Sequence, residues 1–279
     1  VSLVNNGKVE DSPHNQADGA ESLLGPDDPP PFTRYNSDGS ARVLIVADHS
    51  GRAFPRRLGQ LGVADWVLDE HVAWDIGSAD VAHYLSQRFD TPLICANYSR
   101  LVVDSNRRPD DPTSCIPVSA GIAIPGNLDL SEADRAARRA AIFDPYHDAV
   151  SEQLRRMRAQ GYAPALISIH SCTPVFDQLV RPWHFGVLWD SDPRIAKPLL
   201  ENLQALDGVC VGDNEPYSGR DPHDYTMDHH GEANRLPHVS VEVRQDLIDT
   251  PAGADRWAGL LAGALADILA DDELYTYLG

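Results

Sequence analysis

Apolar positions along the chain come in two kinds of pattern. Residues 41–48 (ARVLIVAD), 165–171 (ALISIHS), 184–190 (HFGVLWD) and 238–247 (HVSVEVRQDL) are short runs rich in Val, Ile and Leu, bounded by polar or turn residues. Such runs predict strands, those of continuous apolar character being buried on both faces of a sheet. Two further strand-like pieces, 91–99 (TPLICANYS) and 101–106 (LVVDSN), meet at Arg100, and 209–219 (VCVGDNEPYSG) reads as a strand entering a polar turn. Between the runs, apolar residues recur at helical offsets. Val72, Ile76, Ala79, Val81 and Leu85 predict a helix over 70–89, with Gly77 its weak point. Ser131 followed by Asp134 has the form of a capping box opening a helix to about residue 160, where Gly161 stops it. Residues 192–206 and 250–275 complete the set of helices.

Strands alternating with helices predict an α/β fold, a mostly parallel sheet covered by helices on both faces. Residues 1–38, rich in Asn, Asp, Gly and Pro and without a sustained period, read as a largely irregular N-terminal tail, and 39–279 as one domain. The Pro- and Gly-bearing stretch 108–127 is a long loop of the kind that forms a lid or a subunit contact.

A chain of 279 residues with 42% hydrophobic content can build one large α/β core. Its net charge of -19 argues against a nucleic-acid surface, because neutralising phosphates needs the opposite sign. No window has the ~18–20 uninterrupted apolar residues of a membrane span, and the N-terminal residues lack a signal-peptide pattern, so a cytoplasmic enzyme or small-ligand binder, monomer or homodimer, is expected. The cysteines at 95, 115, 172 and 210 have no C-x-x-C spacing and read as reduced thiols. Neither a G-x-S-x-G elbow nor a nucleotide-binding glycine motif is present.

Ligands of open α/β sheets bind at the carboxyl ends of strands, and two strands here end in His-Ser, at His49 and His170. The pair suggests metal coordination, although a single such histidine is more often structural. A catalytic zinc takes three protein ligands and leaves one position open. Arg52 at the third position after His49 excludes the short H-x-x-E arrangement, so the third ligand must come from elsewhere. Asp75 is the first choice and His71 the second, four residues apart on one face of the expected helix. Glu242 and Arg244 share a face of an otherwise apolar strand, either as a structural ion pair or as a general base and an oxyanion partner. Arg100, Asn106 and Arg107 could grip an anionic small molecule or form a surface cluster, and Tyr217, His230 and Glu232 are polar loop residues available to the same mouth.

Taken in order, ADHSG, HVAWDIG, SRLVVDSNR, IPGN, IFDPYHDA, SIHS, RPWHFGVLW, GDNEPYSG and PHVSVEVRQDL resemble the N-formylglutamate amidohydrolase family over about residues 43–269. The resemblance implies a three-layer α/β/α sandwich of the zinc exopeptidase (phosphorylase/hydrolase) kind. It also implies metal-dependent hydrolysis of the amide of an N-acyl amino acid, N-formyl-L-glutamate to L-glutamate and formate being the first expectation. It marks His49 and His170 as metal ligands and Glu242 as the general base. Arg100, Asn106, Arg107 and Arg244 fall in its anion-recognition motifs, and Asp75 stands where relatives keep an Asp. His71 departs from the pattern, since relatives carry a second Asp in a DWxVD segment. Hydrolysis of another N-acyl amino acid or a small peptide, and metal-free binding of an acidic metabolite, are the alternatives.

Overall fold

The computed structural model describes residues 22–221 and 224–277. Eleven strands occur among them: β1 (Phe32–Tyr35), β2 (Val43–Ala47), β3 (Leu93–Ala96), β4 (Val118–Ser119), β5 (Ile122–Ala123), β6 (Ala165–Cys172), β7 (Val175–Phe176), β8 (Leu179–Val180), β9 (Phe185–Leu188), β10 (Val211–Asp213) and β11 (His238–Arg244). Seven build one sheet in the order β1-β3-β2-β6-β11-β9-β10, while β4–β5 and β7–β8 are separate hairpins. The central strands β3, β2, β6 and β11 run parallel; β1 and β9 are antiparallel to their inner neighbours. The helices are α1 (Ser78–Phe89), α2 (Glu132–Arg138), α3 (Asp144–Arg158), α4 (Pro193–Gln204) and α5 (Pro251–Ala270). α1, α4 and α5 bury Val81, Leu85, Leu199, Trp257 and Leu261 against one face of the sheet. α3 buries Tyr146, Val150 and Leu154 against the other, which makes the three-layer α/β/α sandwich.

The two faces divide by the alternation of a strand. Val43, Ile45 and Ala47 of β2, Ile167 and Ile169 of β6, and Val239, Val241 and Val243 of β11 belong to the α1/α4/α5 core. Leu44, Val46 and Leu166 belong to the α3 core. Asp48, Ser168, His170 and Glu242 continue this second series, so these polar side chains of the central strand ends emerge on the α3 side. The parallel register sets Glu242 directly opposite His170.

Four local features differ from expectation. Helix α1 begins only at Ser78, because Gly77 has φ 78° and the amide of Asp75 is held by the carbonyl of His49 at 2.9 Å. The apolar residues 101–103 are buried but form a turn, packed with Val67, Val72, Ile124 and Ile142 in a core beyond the sheet. An apolar run reports burial, and here burial came without pairing. The predicted helix 131–160 has its capping box at Ser131 and Asp134 but passes through a π-helical segment, Arg139–Phe143, just ahead of Pro145. A proline cannot donate to the preceding turn, and the widened turn accommodates it. Finally, β1 lies within the stretch expected to be irregular: Phe32–Tyr35 pairs with β3 as the sheet edge. Residues 1–21 of that stretch lie outside the described residues.

The far end of the long loop is pinned rather than loose. Asn127 donates to the carbonyls of Leu101 (2.8 Å) and Ile116 (2.9 Å), and Arg138 donates to Asn127 Oδ1, Val102 and Gly126. The four cysteine thiols are unpaired. No helix among the described residues is long and apolar enough to cross a membrane.

The turn that follows His49 depends on Gly51, where a Cβ would lie 2.0 Å from the carbonyl carbon of Asn97. Gly51→Ala is expected to cost about 1–3 kcal/mol, the usual price of overpacking, measured by urea unfolding. An unchanged midpoint would show that β2 and the 97–99 segment can separate freely.

Candidate metal centre

His49 leaves the end of β2, His170 sits near the end of β6, and Asp75 lies in the segment that the His49 carbonyl holds in place. Asp75 Oδ2 is 2.9 Å from His170 Nδ1 and 3.6 Å from His49 Nδ1, and it accepts the amide of Ser171 at 3.2 Å. The two imidazole rings are 5.0 Å apart. All three side chains are buried, and candidate ligand atoms from each lie within 4.8 Å of one another.

Each imidazole is held from behind. His49 Nε2 is 2.7 Å from Asp104 Oδ1, and His170 Nε2 is 2.9 Å from Ser168 Oγ and 3.3 Å from Asp48 Oδ2. Asp48 in turn accepts from Tyr146 (2.6 Å), Thr226 (2.8 Å) and Ser168 (2.9 Å). This is the carboxylate–histidine arrangement that orients metal-binding imidazoles, leaving both Nδ1 atoms turned toward Asp75. Two observations test the fit of an ion. His49 Nδ1 and Glu242 Oε2 are buried without a hydrogen-bond partner. The Asp75 separations bracket the ~3.3 Å edge of a tetrahedron with ~2.0–2.1 Å bonds. The donor set of two imidazoles and a carboxylate therefore suits a divalent cation.

The electrostatics agree. Burial would raise the Asp48 carboxyl, but the hydrogen bond and charge of His170 hold it below the ordinary range. Asp75 resists the same burial through His49 and His170, and Asp104 through Arg100 and His49. His170 is raised despite its burial, by Asp48 and Asp75. Burial pushes the Glu242 carboxyl up to about 7, against the pull of His170 and with a further push from Asp75. With both imidazoles neutral, as metal ligands must be, Asp48, Asp75 and Asp104 face the single charge of Arg100, and a bound cation would offset the excess.

Of the residues singled out from the sequence, His49, Asp75, His170 and Glu242 converge. Asp75 arrives on an irregular segment, so the shared helix face that suggested it does not exist. His71 is only half-buried and no hydrogen bond or ion pair joins it to the cluster, although the charges of Asp75 and Arg100 reach it. Arg100 spends its guanidinium on the protein's own carboxylates, Asp104 at 3.0 Å and Asp75 at 3.4 Å. Arg244 does not reach the cluster: it pairs with Asp246 at 2.8 Å and supports the carbonyls of Arg181 and Pro182. Asn106 is buried and accepts the amide of Thr226 through Oδ1 at 2.9 Å, which fixes the turn behind Asp48. Arg107 donates to the carbonyl of Asn106 at 3.1 Å and its charge reaches Asp104. Tyr217 is 45% exposed and senses the charge of Glu242, placing it at the mouth. His230 lies deeper, its Nε2 2.9 Å from His147 Nδ1, and His147 Nε2 is 2.7 Å from the Ser105 carbonyl. Glu232 is turned away toward Ser191 and His238.

Asp48, Asp104 and Ser168 complete the centre and were not singled out as site residues. Strand alternation could have found the first and third, since they continue the series of Leu44, Val46 and Leu166. Asp104 stands in the sequence with Arg100, Asn106 and Arg107 before the long loop, but nothing there marks it as the partner of His49, because the turn that aims it reads as a strand.

The model of the N-formylglutamate amidohydrolase family matches residues 41–249. An N-formylglutamate deformylase of Pseudomonas aeruginosa is 28% identical over 175 residues, 57% of this chain and 65% of that protein's length. One from Pseudomonas putida is 26% identical over 230 residues, 74% of this chain and 81% of the relative. Among solved structures, a gene product of Agrobacterium tumefaciens superposes with a TM-score of 0.84 at 34% identity, over 88% of this chain and 99% of that one. The N-formylglutamate amidohydrolase of Ralstonia eutropha shares the fold, with a TM-score of 0.63 at 20% identity over 86% and 97% of the two chains.

Two outcomes are expected. Asp104→Asn should weaken metal binding about 10–100-fold by releasing the His49 ring, read by titration with zinc or cobalt. Undiminished affinity would deny Asp104 that role. Burial lowers His147 to about 4 and His230 to about 3, against an ordinary 6.5, so both are neutral in the fold and protonate first when unfolded. Their contribution is present above about pH 6.5 and is lost as the pH falls toward 3–4. The slope is about 1.4 kcal/mol per pH unit for each ring. His230→Asn should flatten that slope in urea unfolding between pH 4 and 7; an unchanged slope would mean that the pair is not buried neutral.

Proposed function

Because the chain belongs to the N-formylglutamate amidohydrolase family, we propose that it hydrolyses the amide of an N-acyl amino acid, N-formyl-L-glutamate first among them, giving L-glutamate and formate. The observation that carries this reading is the convergence of His49, Asp75 and His170 beside a buried, unpartnered carboxylate oxygen of Glu242.

His49 and His170, through Nδ1, and Asp75, through Oδ2, would hold one divalent ion, zinc being the expected one. Such an ion supplies a Lewis acid for the acyl oxygen and lowers the pKa of water at neutral pH. The protein's own groups do the remainder. Asp104 and the Asp48–Ser168 pair fix the imidazole rings, so that both Nδ1 atoms stay directed at Asp75. Arg100 neutralises part of the charge on Asp104 and Asp75 and keeps both ionised. Glu242, rigid on β11 and with its proton affinity raised by burial, takes the proton of the attacking water and returns it to the leaving nitrogen. A carboxylate whose proton affinity is raised above the ordinary range is the better base for the first transfer. Zinc, the formyl group and the glutamate moiety are supported by the family and by the chemistry of the donors.

Glu242→Gln is expected to keep metal and substrate affinity while lowering kcat about 10²–10⁴-fold in a formate-release assay on N-formyl-L-glutamate. Near-normal turnover would remove Glu242 from the role of base. His170→Ala is expected to lose both metal, by elemental analysis, and activity. Full turnover in a metal-free preparation would overturn the mechanism.

A further inference from the structure

Arg181 is 7% exposed, and no ion pair joins it to a carboxylate among the described residues. In a chain with 42 acidic and 23 basic residues this is unusual, and the other arginines around the centre are paired: Arg100 with Asp104 and Asp75, Arg244 with Asp246. Buried Arg138 also lacks a carboxylate, but three acceptors at 2.6–2.9 Å satisfy it. The side-chain acceptors of Arg181 are the carbonyl of Thr173, at a long 3.4 Å, and the hydroxyl of Tyr217, neither of which carries a charge. A desolvated guanidinium without a countercharge costs free energy that a ligand anion can return.

Its surroundings point to the active site. Arg181 follows directly on β8, and its backbone amide closes the β7–β8 hairpin on the carbonyl of Pro174 at 2.8 Å. The guanidinium carbon lies 4.9 Å from the Phe176 ring and 4.8 Å from the Tyr217 ring. Arg181 donates to the carbonyl of Thr173, three residues past His170 at the end of β6, so the guanidinium stands at the same end of the sheet as the centre, and Tyr217 and Cys172 each sense its charge together with that of Glu242. The carbonyl of Arg181 is held by Arg244, which fixes the segment to the end of β11. The flanking rings exclude water from the cation and thereby strengthen its attraction for an anion.

We propose that Arg181, with the hydroxyl of Tyr217, receives a carboxylate of the substrate and so selects N-acyl amino acids that carry an acidic side chain. This rests on the hydrolase reading of the adjoining centre. Arg100 cannot serve in its place without releasing Asp104 and Asp75. Arg181 supplies two parallel donors for a carboxylate, and the aromatic rings fix the approach.

The test compares wild type with Arg181→Met, Arg181→Lys and Tyr217→Phe, each metal-loaded and checked for folding by its thermal midpoint. The substrates are N-formyl-L-glutamate and its two monoamides. Arg181→Met should raise KM for N-formyl-L-glutamate about 10–100-fold with little change in kcat, as expected for losing a charge-assisted contact. It should also abolish the wild type's discrimination against the side-chain amide; loss of discrimination against the α-amide alone would put the α-carboxylate on Arg181 and overturn the selection of acidic side chains. Arg181→Lys keeps the charge without the fork and should fall between, and it gives the same readout if the methionine variant does not fold. Calorimetric binding of L-glutamate separates the two readings. Hydrolysis by wild type with KM unchanged in both Arg181 variants overturns this inference alone. Arg181-dependent binding of L-glutamate without hydrolysis supports it and overturns the hydrolase reading. No binding of L-glutamate or of N-formyl-L-glutamate to wild type overturns both.

Discussion

Three aspartates ionised in the dry end of a sheet are the constraint around which this protein is arranged. Asp48, Asp75 and Asp104 are each at most 6% exposed. A carboxylate taken out of water is tolerated only when charge and hydrogen bonds replace hydration. Here the replacement comes from His49, His170 and Arg100, assisted by Tyr146, Thr226, Ser168 and the amides of Asn106 and Ser171. The partners come from β2, β6, α3 and the loops around residues 75, 104 and 226, so meeting the demand ties those elements together. What remains after this pairing is directed inward: His49 Nδ1 and Glu242 Oε2, buried and without partners. The stabilising network and the reactive face are two sides of the same residues.

The sheet supplies the rigidity that such a network requires. Parallel pairing of β2, β6 and β11 brings three strand ends to one edge, and alternation places the polar members on the α3 side. A one-residue slip of β11 would send Glu242 into the α1/α4/α5 core and bring Val241 or Val243 to the centre. The valines buried on the opposite face make that slip costly, so the apolar core fixes the position of the base.

The cations divide their tasks by surroundings rather than by kind. Arg100 is committed to carboxylates of the centre, Arg244 to Asp246 and the backbone of residues 181–182, and Arg138 to carbonyls around Asn127. Arg181 differs because aromatic rings, instead of acids, surround it. A guanidinium beside an acid is neutralised within the fold, whereas one beside rings keeps its charge for a ligand.

The sequence by itself determined the α/β class, the central strands, the strand-end histidines and Glu242, since these follow from short-range periodicity and from polar residues breaking an apolar strand. The same logic would have reached Asp48 and Ser168. It identified Asp75 through a helix that does not form: four-residue spacing was satisfied by sequence, but the backbone there is bound to His49 and turned by Gly77. Residues 101–103 misled for a related reason, because hydrophobicity records burial and not hydrogen-bond partners. The fates of the arginines were decided only in three dimensions. Whether a guanidinium is spent or available depends on which carboxylates lie within about 4 Å: Arg100 meets Asp104 four residues on but Asp75 only through the fold, and Arg181 is brought against the rings of Phe176 and Tyr217 instead of an acid. Local pattern fixes what a residue can offer, and tertiary contact fixes whether the offer is already taken.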